Sequence, residues 1–167
     1  PARGNSPSTL ARPAARWQRE PLAKKGQEEV EKYDKAIQEY NQVIEETRGL
    51  DESSQLALFL TYRALAKFEF GERVENLHQD LLEAMELAIA SDNAALLLNA
   101  KLVLAEIYRD SGSTPKAIEQ FLDAFDLGNL LKDPESQELA LSNLGRLYLD
   151  RGWSEQALAC YRHLLDT

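Results

Sequence analysis

Apolar and small residues recur along this 167-residue chain three and four apart, the spacing of one helical face. The blocks they form repeat in turn. Ala36-Ile37…Tyr40…Val43, Leu77…Leu81…Ala84, Ala117-Ile118…Phe121…Ala124 and Ala157-Leu158…Tyr161…Leu164 share one template, their first residues standing 41, 40 and 40 apart. Three of the four are preceded by a matching half: Ala64-Leu65…Phe68, Leu104-Ala105…Tyr108 and Leu144-Gly145…Tyr148. A fixed period in this range is the signature of stacked repeats, each a supersecondary unit that buries its apolar face on its neighbours.

Stop and start signals separate the halves. Gly71, Gly112 and Gly152 follow the first helices, where a left-handed residue ends a helix and glycine adopts it without a Cβ clash. Thr114-Pro115 reads as an N-cap followed by proline in the first turn, Ser154 opens the last segment, and Asp133-Pro134 repeats the same logic between units. Each unit is therefore expected to be a helical hairpin, with small residues where two helices cross closely and aromatics filling the gap to the next hairpin. The expected fold is all-α: a right-handed superhelix of stacked antiparallel hairpins, in units of about 22–50, 52–92, 94–132 and 134–167. Residues 22–29 are too polar for a good first helix, so one long helix from about Leu22 to about Thr47 is favoured over a degenerate hairpin.

The pattern resembles the tetratricopeptide repeat family over roughly residues 30–167. The best copy is Asn143-Leu144-Gly145…Tyr148…Gly152…Ala157…Tyr161, and Leu102…Tyr108…Gly112…Ala117…Phe121…Ala124 is close to it. Tyr33-Asp34-Lys35-Ala36-Ile37…Tyr40…Val43-Ile44 is similar to the second helix of such a repeat. The family's standard repeat is about 34 residues. The longer period here is similar to the repeats of Leu-Gly-Asn-type spindle-orientation scaffolds and kinesin light chains. The resemblance implies a fold and a mode of action, not a particular partner.

Charge narrows the partner. The first 19 residues hold Arg3, Arg12, Arg16 and Arg19 without an acid, while the remainder holds 15 basic against 28 acidic residues. An acidic body is unsuited to nucleic acid, whose affinity comes largely from neutralised phosphates; a basic or apolar peptide suits it better. Residues 1–21 are rich in Pro, Ala, Ser and Arg and read as a tail or linker; the alternatives are a remnant of a targeting segment, or a segment whose Leu10, Trp17 and arginines dock on the acidic groove of this or a neighbouring copy. No apolar run approaches the 18 or so residues of a membrane span. The lone Cys160 cannot form an internal disulfide and is compatible with an intracellular chain, cytoplasmic or organellar. Leu158, Leu164 and Leu165 on the last helix lack a capping helix, which suggests a piece of a longer protein.

Chemistry is sparse. His78 reads as a solvated histidine near a helix start. Cys160 and His163 lie three apart, but two ligands do not make a zinc site, and no cofactor is implied. Glu28-Glu29 and Glu45-Glu46 read as solvated helix faces. No phosphate-cradling glycine loop is present. A non-enzymatic role follows.

Stacked hairpins curve, and the first helix of each unit lines the inner wall. By the family's geometry the inward residues are Phe59, Tyr62, Glu69 and Phe70; Asn99, Leu102, Glu106, Arg109 and Asp110; and Leu139, Ser142, Arg146 and Asp150. Phe59, Phe70, Leu102 and Leu139 read equally as packing residues. Arg109 and Arg146 can hold a peptide carboxylate in bidentate fashion, or simply pair with neighbouring acids. Some family members grip an acidic chaperone tail with lysines and asparagines, but here Tyr62, Ala66, Glu69 and Leu102 stand where that clamp wants bases. The expectation is a protein-interaction scaffold holding a segment of a partner in its groove. The rivals are a self-assembly module, joined through its repeat ends or its tail, and a regulatory domain of a larger protein.

Overall fold

The structure is a computed structural model that describes residues 26–50 and 52–166. Seven helices make up these residues: α1 (Gln27–Arg48), α2 (Ser53–Glu69), α3 (Val74–Ala90), α4 (Ala94–Asp110), α5 (Thr114–Leu131), α6 (Pro134–Asp150) and α7 (Ser154–Asp166). Each packs on the next in sequence, and α2 also touches α4. The result is a solenoid of three hairpins, α2–α3, α4–α5 and α6–α7, preceded by α1. Its expected beginning near Leu22 lies outside the described residues; α1 starts at Gln27 with Gly26 as N-cap.

The repeat template accounts for the core. Leu77, Leu81 and Ala84 on α3, and Ala117, Phe121 and Ala124 on α5, are essentially sealed from solvent. Together with Ala64, Phe68, Leu104, Ala105, Ile107, Leu144 and Leu147 from the first helices, most of them belong to one continuous core. A smaller cluster of Ile44, Leu56, Ala57, Leu60 and Ala84 fastens α1 to the first hairpin. Burying such side chains stabilises by about 1.5–3 kcal/mol each for the larger ones, and the joints between hairpins rest on it.

The turn inside each hairpin is set by glycine. Gly71, Gly112 and Gly152 have φ of 91°, 79° and 76°. The turns between hairpins reach the left-handed region without it, at Asp92 (φ 51°) and Lys132 (φ 54°). Asp133 caps α6, accepting from the Ser136 backbone N–H at 3.2 Å and its hydroxyl at 2.7 Å. At α5 the expected cap is displaced by one residue. Ser113 is the N-cap, and Thr114 turns its buried hydroxyl to the Arg151 guanidinium instead.

One joint is polar. Arg63 on α2 donates Nε and Nη2 to the two carboxylate oxygens of Asp80 on α3, at 2.9 and 2.7 Å. Lys67 Nζ adds a bond of 2.9 Å to the same carboxylate, and Arg63 Nη1 reaches Asn41 on α1 at 2.8 Å. Asp80 is only 5% exposed. Arg48 reinforces the joint with two bonds to Glu83, at 2.6 and 2.8 Å.

Candidate functional site

Helices α4 and α6 bring two guanidinium groups to one oxygen. Arg109, in the last turn of α4, donates Nη1 to Oδ1 of Asn143 on α6. Arg146, one turn further along α6, donates Nη2 to the same oxygen at 2.9 Å. Asn143 is 4% exposed and is itself held by a 2.8 Å bond from Nδ2 to the Leu139 carbonyl. Its amide orients both arginines and, being uncharged, neutralises neither. Arg109 also donates Nε to Asp110 at 2.7 Å, so the pairing with a neighbouring acid that the sequence allows is made at this residue.

Two clefts share these arginines. The first, about 470 Å³, is lined by Glu106, Arg109, Leu139, Ser142, Asn143, Arg146 and Tyr161. The second, about 270 Å³, is lined by Arg109, Asp110, Gly112, Thr114, Arg146, Leu147 and Asp150. Six residues expected in the groove thus meet around one place: Glu106, Arg109, Asp110, Ser142, Arg146 and Asp150. Leu139 joins them half-exposed.

The other expected groove residues lie elsewhere. Phe59 packs against the small core cluster at α1. Phe70 stacks on Tyr33 with ring centroids 4.7 Å apart, and Leu102 is buried in the main core. Tyr62 and Glu69 are exposed and Asn99 half-buried, and none of the three lines either cleft. Asn143 and Tyr161 were not among the expected groove residues. The legible signal for Asn143 was a polar residue at the repeat position that Val103 holds one unit earlier, three residues before Arg146.

Several other titratable side chains take part in packing. Tyr33, on α1, donates its hydroxyl to Glu72, and burial together with that carboxylate raises its pKa well above the ordinary range. His78 is half-buried rather than solvated. Its Nδ1 lies 3.2 Å from the Tyr108 hydroxyl, in a cleft that Glu75, Ser111, Ser113 and Lys116 also line. Burial, then Glu119, pushes the Tyr108 hydroxyl up. Burial likewise pushes up the Cys160 thiol, while His163 stands edge-on to Phe125 at 5.5 Å. Among the described residues no group of three or more His, Cys, Asp or Glu could hold a metal ion. None of these helices is long and apolar enough to cross a membrane.

Residues 139–167 match the family model of the tetratricopeptide repeat. This stretch is similar to a tetratricopeptide repeat. It contains α7 and most of α6, hence Asn143, Arg146 and Tyr161 of the cleft. A repeat of this kind suggests a module of protein–protein interaction in general. No curated protein and no solved structure matches the chain significantly.

Proposed function

We propose that the clefts between α4 and α6 hold a segment of a partner protein, with Arg109 and Arg146 gripping a carboxylate on it. The observation that carries this reading is the convergence of both guanidiniums on Asn143. Two forks from neighbouring hairpins are oriented in advance, so little side-chain freedom is lost when a planar anion arrives. Leu139 and Tyr161 offer apolar surface beside them. Glu106, Asp110 and Asp150 line the same clefts and favour basic side chains on either side of the gripped acid. Apolar anchoring supplies affinity, and the mixed charges select register and orientation.

Cross-linking capture with mass spectrometry identifies the partner, and titration of its peptide against Arg109→Ala and Arg146→Ala tests the site. Each substitution is expected to weaken binding by about ten- to a hundredfold, since a charge-assisted hydrogen bond is worth about 1.5–3 kcal/mol. Unchanged affinity with both variants folded moves the site elsewhere.

A second reading, self-assembly through the end of the solenoid, rests on the outer face of α7, where Leu158 is 48% and Leu165 is 86% exposed. Sedimentation over a concentration range separates the two readings, because a strict monomer removes the second.

A further inference from the structure

Tyr161 on α7 rests against Gly145 on α6, the first helix of its own hairpin. One and two units earlier, Phe121 and Leu81 hold the same register position and are fully buried. Three units earlier the position is Tyr40 on α1, and there the pattern fails. Tyr40 is only half-buried, as are Ala36 and Val43, although Leu77, Ala84, Ala117 and Ala124 at the equivalent places are at most 1% exposed. On α3 and α5 this strip is covered by the helix that precedes it; on α7 Ala157 is buried and Tyr161 and Leu164 are half-buried, whereas on α1 all of Ala36, Tyr40 and Val43 are left half-buried. Among the described residues no helix precedes α1.

We infer that the open strip of α1 is a docking surface for this chain's own basic segment, residues 1–25. Three observations select that occupant. The first is charge: α1 carries seven acids (Glu28, Glu29, Glu31, Asp34, Glu39, Glu45, Glu46) against three bases (Lys32, Lys35, Arg48), a net of −4. Residues 1–25 carry six bases (Arg3, Arg12, Arg16, Arg19, Lys24, Lys25) against Glu20, a net of +5. The second is apolar content, because Leu10, Trp17 and Leu22 can fill the place beside Tyr40 that a first helix fills elsewhere. The third is reach. From Gly26 to Tyr40 along the helix is about 21 Å at 1.5 Å per residue. The nine residues back to Trp17 span roughly 30 Å when extended, so Trp17 can fold back to the level of Tyr40. Docking here leaves the clefts at Arg109 and Arg146 open, so the inference stands or falls independently of the partner-binding role.

The chain has two tryptophans, Trp17 and Trp153, so Trp153→Phe makes Trp17 a sole reporter in the full-length protein. The expected result is Trp17 emission shifted to shorter wavelength and protected from acrylamide, relative to a free peptide of residues 1–25. Protection should weaken at high salt and be lost in Ala36→Arg. The exposed charge reversals Glu39→Lys and Glu46→Lys, which disturb no core residue, should weaken it without altering helicity. Trp17 as accessible in the protein as in the free peptide overturns the inference. Protection that survives Ala36→Arg in a folded chain, or that disappears on dilution, also overturns it, the first by placing the segment elsewhere and the second by placing it on another copy.

Discussion

Gly145 lies against the ring of Tyr161, so closely that a Cβ at the glycine would meet Cζ at 2.7 Å and Cε1 at 2.9 Å. The joint inside the last hairpin is therefore set by one hydrogen on α6 and one aromatic ring on α7. In the same register one unit earlier stand Ala105 and Phe121, and before them Leu65 and Leu81. As the residue on the second helix grows, the one on the first shrinks.

Gly145→Ala should destabilise the fold despite the better helix propensity of alanine. Overpacking costs about 1–3 kcal/mol, and the propensity gain offsets about 0.5–1 of it. Thermal unfolding should fall by about 2–4 °C per kcal/mol lost. With Tyr161→Leu in the same chain the two losses should not add, since the smaller side chain leaves room for the methyl group. Additive losses would show that the ring already moves aside.

Asp80→Ala should cost about 3–5 kcal/mol in denaturant unfolding, because Arg63 and Lys67 keep their charges in a largely buried place without their acceptor. Their side chains are 15% and 16% exposed. Replacing all three with Leu or Met of similar volume should be close to neutral or stabilising. A small loss in the single variant, equal to that of an exposed ion pair, would contradict this account.

Lys132 holds φ at 54°, where a side chain costs roughly 1–2 kcal/mol. Lys132→Gly should raise stability by about 1 kcal/mol, and Gly112→Ala should lower it by a similar amount, since Gly112 has φ 79° and open space around it. Chemical denaturation of the two variants checks both signs.

Asp133 titrates below its ordinary value of 3.8, chiefly because the Ser136 hydroxyl and then its backbone N–H bond the carboxylate. Its folded pKa is depressed, so the cap's stabilisation is complete above the ordinary value and is lost as the pH falls through the lower, folded one. Asp133→Ala should lower the melting temperature at neutral pH. The difference from the native chain should shrink in strong acid. A gap that stays constant below pH 3.8 would remove the carboxylate from the argument.

The hairpins and their glycine turns were legible because hydrophobic period and helix termination are local properties of the chain. Arg109 and Arg146 were legible as a pair for a related reason. They stand 37 residues apart against a repeat of 40, one turn out of register, which brings them to the same oxygen of Asn143 from neighbouring hairpins. Asn143 itself was not recognised, because its partners come from two helices that only the stacking brings together. Asp80 went unrecognised for a similar reason, because its bases lie 17 and 13 residues back on α2, across the hairpin turn. Phe70 read equally as a groove or a packing residue from its place on α2, and its ring stacks on Tyr33 of α1. The turns at Asp92 and Lys132 carry no glycine and so gave no conformational signal.

The bonds linking Asn41, Arg63, Lys67 and Asp80 are confined to the amino-terminal joint. One unit on, the places of Arg63, Lys67 and Asp80 are taken by Val103, Ile107 and Gln120, and two units on by Asn143, Leu147 and Cys160, so the ion pairs made at these places are not repeated. In a linear array each unit is steadied only by its neighbours, so a difference in the character of the joints becomes a difference in when they part. Heating or pulling this chain should unzip it from the α1 side. The hairpins around Arg109 and Arg146 would be the last to let go, and a guest seated there would be lost only after the amino-terminal end has already come undone.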